Sequence, residues 1–250
     1  MRRFVVGLFA AIGLVVVLAI LAGGVVVWRV VGAKPILPDT IVLSADLSRG
    51  LAAGASQDAL SEVVFGGKQT LRGFLDAIER AGIDPRVKGM YARIGGDSLG
   101  LAITQEVRDA VRDFRAKDKF AIAFADSFGE FGPGTRPYYL ATAFDEIWLQ
   151  PLGSIGLIGL HSEQTFFRGA LDKLGVVPSF AHREEYKTAT NLLTETAMTP
   201  AQREQVEDLL SAGEGQIVRG IAAARNLSED RVRALIDRGP LLRTRGRCSG

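Results

Sequence analysis

Residues 89–125 read GMYARIGGDSLGLAITQEVRDAVRDFRAKDKFAIAFA, and this stretch decides the fold class. Gly89–Ile94 is strand-like, and Phe120–Ala125 is predicted to be a buried strand. The apolar residues between them recur at helical spacing: Ile103, Val107, Val111 and Phe114. A strand, an amphipathic helix and a second strand predict an α/β domain with a largely parallel sheet. The strands of such a sheet can be continuously apolar because helices cover its faces.

The same alternation extends along the chain in both directions. Thr199 is predicted to cap a helix that has Pro200 at its first position, and Ser228 to cap a shorter helix. The other predicted elements are strands Thr40–Ala45, Glu146–Gln150, Leu160–Thr165 and Val176–Ala181, and helices Pro137–Phe144 and Phe167–Leu174.

An uncharged apolar run extends from Phe4 to Trp28. At about 1.5 Å per residue a helix of this length exceeds the roughly 30 Å hydrocarbon core of a bilayer. The run therefore predicts a signal anchor with one transmembrane helix in residues 1–33, followed by an α/β domain in residues 34–242. Cleavage at Ala22–Gly24 stays open as an alternative.

Composition excludes several classes of function. The chain has 30 Lys and Arg against 28 Asp and Glu, and their interspersed arrangement gives no reason to expect nucleic acid as a partner. Cys248 is the single cysteine, so the sequence has no disulfide framework and no cysteine-based metal site. His161 and His182 lack a metal-ligand spacing, and no cofactor or metal is predicted.

Two glycine clusters are candidate substrate-binding segments. Gly95 and Gly96 follow a strand and precede a helix, so their backbone amides can face an anion or an oxyanion, although an ordinary strand-to-helix turn has the same pattern. Gly153 and Ser154 open a second glycine-rich stretch, where a peptide backbone can approach closely. Neither cluster has the ending of a nucleotide-binding loop.

Lys187 is the candidate catalytic residue, in the segment Glu184–Ala189. A lysine acts as a general base only where burial or a neighbouring cation favours its neutral form. Most lysines are solvated surface residues, and the sequence offers no obvious serine partner, so the residue alone does not establish a catalytic role.

The order of these segments resembles the signal peptide peptidase family, also called protease IV. The matching segments are the amino-terminal anchor, the turn at Gly95–Ser98, the strand before Ala125, Tyr138–Thr142 leading to Ile147–Pro151, the glycine-rich turn that follows, and Tyr186–Ala189.

This resemblance implies a crotonase-like or Clp-protease-like unit, here the amino-terminal half of a long form with two tandem copies. Lys187 would be the base of a Ser-Lys dyad, and the serine would come from the second copy. It further implies peptide substrates such as cleaved signal peptides, a ring-like homo-oligomer, and single-pass placement in the inner membrane with a periplasmic or extracytoplasmic domain.

The chain departs from the family pattern in two places. Thr135 stands at the nucleophile's position without the glycines that should follow it, and we do not assign it a catalytic role. Residues 243–250 form a basic tail where a second copy is expected, as a truncation or a frameshift would leave, or as a segment that binds acidic partners. Two alternative functions stay open: an inactive membrane-anchored scaffold, and a crotonase-like acyl-CoA enzyme.

Overall fold

The computed structural model describes residues 13–25, 38–52, 54, 69–129, 132–181 and 183–242. The chain divides into two compact units, Met1–Asp39 and Thr40–Gly250. Each unit is described by itself.

The first unit contains helix α1, residues 13–25, whose side chains are exposed. The anchor predicted for residues 1–33 extends beyond this helix at both ends, into residues outside the described ranges. None of the helices in the described ranges has the length and apolar character needed to cross a bilayer. The basic tail at residues 243–250 also lies outside them.

The second unit alternates strands and helices along most of its length. Its strands are β1 Ile41–Asp46, β2 Val87–Arg93, β3 Phe120–Ala125, β4 Glu146–Leu149, β5 Ser154–Ile155 and β6 Leu241–Leu242. Its α-helices are α2 Leu71–Ile83, α3 Leu101–Arg115, α4 Thr135–Ala141, α5 Arg168–Lys173, α6 Asn191–Thr194, α7 Pro200–Arg225 and α8 Glu229–Asp237, and a 3₁₀ helix spans Thr188–Thr190.

Strands β1 to β4 form a sheet in the order β1-β2-β3-β4, and every neighbouring pair is parallel. The α/β prediction is therefore confirmed. Because all four strands run the same way, their carboxyl ends meet at one edge of the sheet. Strands β5 and β6 form a separate antiparallel pair.

One face of the sheet is packed beneath helices α2 and α3. Small side chains line the middle of this face, and Ala92, Ala121, Ala123 and Ala125 have no exposed surface. The helices fill the space above them with Phe74, Ile78, Val107, Val111 and Phe114, in one buried cluster. Alanine in the strands allows the helices to approach the sheet closely.

The opposite face of the sheet is largely open to solvent. The side chains of β3 alternate between exposed or half-buried and fully buried positions, and Phe120 is 41% exposed. On β4, Trp148 is 50% exposed. The prediction that Phe120–Ala125 is a buried strand is thus correct for only one of its faces.

Two predicted strands, Leu160–Thr165 and Val176–Ala181, are absent from the structure, where both segments lack regular structure. A strand needs a hydrogen-bonded neighbour, and none of the described residues forms a ladder with either segment. The helix predicted between them is present as α5. Both predicted caps are confirmed, since Thr199 accepts a hydrogen bond from the backbone N–H of Gln202 and Ser228 accepts one from Arg231.

A buried arginine ties α3 to α4. Arg108 is fully buried, and its guanidinium lies 3.7 Å from the centroid of the Tyr139 ring. It donates to the Tyr139 carbonyl oxygen and, at 2.7 Å, to Thr142 Oγ1. Burial lowers the pKa of Arg108 to about 10. A cation at the carboxyl end of α4 also interacts favourably with the helix dipole, so Arg108 fixes the helix whose first residues are Thr135 and Arg136.

We expect Arg108→Ala to lower the free energy of unfolding by about 3 kcal/mol, because it leaves a cavity and removes the donor to two buried acceptors. Arg108→Met keeps the side-chain stem without the buried charge, and we expect it to cost about 1 kcal/mol. Denaturant unfolding followed by circular dichroism measures both values. An equal decrease in unfolding free energy in the two variants would show that Arg108 contributes only through its charged guanidinium and not through packing of its stem.

Candidate functional site

Lys187 lies in an exposed segment between α5 and α6, immediately before the 3₁₀ helix. Its backbone N–H donates to the Glu184 carbonyl oxygen at 3.3 Å, and Glu184 adopts the left-handed conformation with φ 68°. Its own side chain is exposed, and among the described residues it has no ion-pair or hydrogen-bond partner. Lys187 therefore lies in a hydrogen-bonded turn, and its side chain is exposed.

Gln205, in the second turn of α7, holds this turn from both sides of Lys187. Its Nε2 donates to the Tyr186 carbonyl oxygen at 3.2 Å, and its Oε1 accepts from Thr188 Oγ1 at 3.3 Å. Deeper in the structure, Asn191 Nδ2 donates to Gln202 Oε1 at 2.9 Å. The first two turns of α7 thus position the residue that the sequence singles out.

A cavity of about 520 Å³ opens beside this turn. Carboxylates of Glu185, Glu195 and Glu204 contribute to its lining. Tyr186 donates to Glu204 Oε2 at 2.8 Å, and this hydrogen bond, together with the charge of Glu204, raises the pKa of Tyr186. The cavity beside the Lys187 turn is therefore lined by several acidic side chains.

The first glycine cluster lines a different cavity, at the carboxyl ends of β1, β2 and β3. This groove has a volume of about 460 Å³, and Gly95 and Gly96 line it together with Ser48, Arg93 and Ser127. In open parallel sheets, ligands bind outside the carboxyl ends of the strands. The structure thus places Gly95 and Gly96 at the edge where an α/β domain binds its ligands.

Charged groups surround the groove in pairs. Arg93 forms an ion pair with Asp126, which also lines the cavity. Ser48 donates to Asp46 at the end of β1, and this hydrogen bond holds the pKa of that carboxyl below its usual value. The groove is polar but carries charges of both signs, so it has no strong preference for one sign of ligand.

Gly153 and Ser154 do not line this groove, but Ser154 contacts a residue that does. The Oγ atoms of Ser127 and Ser154 are 2.9 Å apart, and the Ser154 backbone N–H donates to Ser127 Oγ at 2.9 Å. Gly153 is required for packing, because a Cβ there would lie 2.2 Å from the Asp126 carbonyl oxygen. The sequence reasoning missed Ser127, and only its place two residues after the end of β3 could have indicated it.

Thr135 begins α4 and is 1% exposed. Its Oγ1 accepts a hydrogen bond from the Ile158 backbone N–H at 3.1 Å. The next residue, Arg136, forms an ion pair with Asp97 of the glycine turn. The hydroxyl at the expected nucleophile position is thus buried and hydrogen-bonded.

The structure brings only some of the predicted residues together. Gly95, Gly96 and, through Ser127, Ser154 meet at the groove, whereas Lys187 is not among the residues that line it. His161 helps to line a small cavity of about 50 Å³ beside Thr135, and His182 lies outside the described residues. Within the described ranges, no group of three or more His, Cys, Asp or Glu side chains is placed to hold a metal ion.

Residues 127–248 match the sequence model of Peptidase family S49. Over these residues the chain is similar to this family. Protease 4 of Haemophilus influenzae is 29% identical over 182 residues, which cover 70% of this chain and 28% of that protein. Serine protease SPPA, chloroplastic, of Arabidopsis thaliana is 26% identical over 160 residues, 64% of this chain and 23% of that protein. Protease 4 of Salmonella typhi is 28% identical over 155 residues, which cover 60% of this chain and 23% of that protein.

The chain thus spans about a quarter of the length of these curated relatives. The S49 match includes Lys187, Thr135, Gly153 and Ser154, and it begins at Ser127 in the groove. The first glycine cluster precedes the matched residues. The S49 match therefore covers only part of the groove lining.

We expect the two glycine clusters to respond differently to alanine. Gly153→Ala pushes a methyl group into the Asp126 carbonyl and should lower the free energy of unfolding by about 2 kcal/mol. Gly96→Ala meets nothing within 4 Å and should leave stability unchanged. Thermal unfolding of both variants measures the difference, and equal destabilisation would mean that Gly96 is also needed for packing.

Removing the Gln205 contacts should loosen the Lys187 turn without unfolding the domain. For Gln205→Ala we expect amide hydrogen exchange at Lys187 and Asn191 to quicken about fivefold, because a lost surface hydrogen bond contributes about 1 kcal/mol. Glu207→Ala, on the same helix, is the matched control and should leave both rates unchanged. Unaltered exchange rates in Gln205→Ala would show that the Lys187 turn is stable without the Gln205 hydrogen bonds.

Proposed function

We propose that this chain carries the lysine base of a membrane-anchored, serine-type endopeptidase of family S49. Lys187 is the base, and the serine nucleophile comes from another polypeptide segment. The observation that carries the proposal concerns the Lys187 turn, which lies inside the S49-matched residues. Hydrogen bonds from Gln205 hold this turn, and the Lys187 side chain is exposed. The relatives named Protease 4 and Serine protease SPPA support the peptidase class.

The chemistry proposed is that of a Ser-Lys dyad. Neutral lysine accepts the serine hydroxyl proton while the serine oxygen attacks the peptide carbonyl carbon, and the resulting ammonium then protonates the leaving amine. Water must be excluded from the lysine for its neutral form to be favoured. Since Lys187 is exposed in this chain, the covering surface has to be supplied by the segment that brings the serine.

Thr135 supports this division of roles. A nucleophile must reach the substrate carbonyl, whereas Thr135 is buried and its oxygen accepts the Ile158 N–H. Arg136, where a glycine is expected, pairs with Asp97. This unit therefore offers a base without an accessible hydroxyl at the corresponding nucleophile position.

The groove at Gly95 and Gly96 is our candidate for part of the substrate site. A Cβ at Gly96 would meet nothing within 4 Å, so a peptide backbone can approach it closely. We propose cleaved signal peptides and similar apolar segments as substrates, a homo-oligomer as the assembled state, and placement in the inner membrane with an extracytoplasmic domain. A crotonase-like or Clp-protease-like unit is the architecture that goes with this proposal.

An inactive scaffold is the second candidate. The buried Thr135 and the Arg136–Asp97 ion pair favour it, because they close the position where this unit would otherwise carry a nucleophile. Extending the gene past the codon for Leu242 in all frames separates the two. A second α/β unit with a serine followed by two glycines supports the peptidase, and its absence supports the scaffold.

Peptidase activity should depend on Lys187. In membranes from cells that express the gene, we expect Lys187→Ala to lower turnover of an unstructured apolar peptide about 10²–10⁴-fold, the usual contribution of a general acid-base group. Lys173→Ala, another exposed lysine, is the control and should be as active as the wild type. Equal turnover by Lys187→Ala and the wild type would remove Lys187 from the mechanism.

The isolated chain tests the division of roles. We expect no turnover by the purified chain alone and turnover once a serine-bearing S49 unit is supplied. Cleavage by the isolated chain that disappears in Thr135→Ala would contradict the proposal and assign the nucleophile to this unit.

A further inference from the structure

Two arginine–aspartate pairs span the groove at the carboxyl ends of the strands. Arg93, the last residue of β2, pairs with Asp126, which follows β3. Asp97 of the glycine turn pairs with Arg136 in the first turn of α4. Arg93, Asp97 and Asp126 line the groove. Residues 93–97 therefore form one wall, and residues 126–129 and 132–133 form the other, which we call the loop wall.

The loop wall is fixed by backbone hydrogen bonds. The Phe128 N–H donates to the Ser154 carbonyl oxygen at 2.9 Å, and the Gly156 N–H donates to the Phe128 carbonyl oxygen at 2.7 Å. At the end of this wall the Gly134 N–H donates to the Gly156 carbonyl oxygen at 2.8 Å. A Cβ at Gly134 would clash with the Phe128 carbonyl oxygen, so the close approach requires glycine. The side chain of Arg136 thus extends from a fixed position toward the glycine turn.

The Asp97–Arg136 pair is the less exposed of the two. Its side chains are 15% and 33% exposed, against 47% for Asp126 and 52% for Arg93. Asp97 Oδ1 is buried without a hydrogen-bond partner among the described residues, so Arg136 is the only side chain there that pairs with this carboxylate. Exposed ion pairs contribute little, whereas removing one partner of a buried pair leaves an uncompensated charge. The Asp97–Arg136 pair is therefore the one that controls the charge of the groove.

We propose that Asp97 and Arg136 determine which peptide side chains the groove accepts, and that their mutual pairing selects uncharged segments. The inference rests on the proposed function, which makes the groove part of a peptide site. A Cβ at Gly96 would meet nothing within 4 Å, so a peptide backbone has room beside Asp97. A charged peptide side chain placed there gives up hydration without gaining a free partner, because both charges of the pair are already used.

Neutralising one member of the pair frees the charge of the other. Arg136→Gln leaves the Asp97 carboxylate unpaired, and a lysine of the peptide can then donate to it. Asp97→Asn leaves the Arg136 guanidinium unpaired, and a glutamate of the peptide can then accept two hydrogen bonds from it. The two changes should shift the preference of the groove in opposite directions. A purely structural role of the pair would instead change the binding of all peptides alike.

Binding of three blocked peptides tests the proposal. The peptides share an alanine–serine sequence, which avoids partition into detergent micelles, and differ at one central residue that is glutamine, glutamate or lysine. Fluorescence anisotropy of the labelled peptides measures their dissociation constants with the full chain in detergent. All chains carry Lys187→Ala to prevent cleavage, and Lys187 is not among the residues that line the groove.

We expect the chain with the intact pair to bind the glutamine peptide most tightly. In Arg136→Gln the affinity for the lysine peptide, relative to the glutamine peptide, should rise about tenfold, which is the usual contribution of a charge-assisted hydrogen bond. In Asp97→Asn the relative affinity for the glutamate peptide should rise by a similar factor. The double variant Asp97→Asn/Arg136→Gln should again prefer glutamine, because no free charge remains.

Arg115→Gln is the matched control. Arg115 pairs with Asp145 and is 34% exposed, close to the 33% of Arg136, but neither member of this pair lines the groove. Its order of preference should equal that of the intact chain. Circular dichroism establishes that each variant is folded. Should Arg136→Gln not fold, Asp97→Asn carries the test with the glutamate peptide, because it leaves only a partly exposed arginine unpaired.

Equal changes for all three peptides in both single variants would overturn the proposal and assign the pair a structural role. Tightest binding of a charged peptide by the intact chain, or no binding of any peptide, would overturn it too, as would a shifted preference in Arg115→Gln. These outcomes leave the role of Lys187 untouched, since the loss of turnover in Lys187→Ala tests that role separately.

Discussion

Close packing of two helices on an alanine-lined sheet is the constraint on which the rest of the domain depends. Ala92, Ala121 and Ala123 have no exposed surface, and the larger side chains of α2 and α3 occupy the space above them. This packing fixes four parallel strands in one register. Their carboxyl ends then meet at a single edge, which creates the groove.

The groove and the Lys187 turn are positioned by different parts of the fold. The groove depends on the sheet, because Gly95 and Ser127 each follow a strand within a few residues. The turn depends on α7, whose side chain Gln205 holds the residues on both sides of Lys187. Lys187 is not among the residues that line the groove, and an exposed lysine needs a covering surface before its neutral form is favoured.

Among the described residues, two surfaces of this unit are exposed: the Lys187 turn and the face of the sheet opposite α2 and α3. Parallel sheets in α/β proteins are normally covered on both faces. The chain spans about a quarter of the length of the relatives it matches.

The sequence by itself determined the α/β class, the four sheet strands, the caps at Thr199 and Ser228, and Lys187 as the residue to examine, because these depend on local periodicity, on capping chemistry and on motif order. It predicted strands at Leu160–Thr165 and Val176–Ala181 that do not form, because local propensity does not reveal whether a neighbouring strand is present. Only the tertiary structure decided that one face of the sheet is exposed among the described residues. It also decided that Ser154 contacts Ser127 of the groove, and that Gln205 forms hydrogen bonds with the Lys187 turn. These depend on contacts between residues distant in sequence, which periodicity within a segment cannot encode.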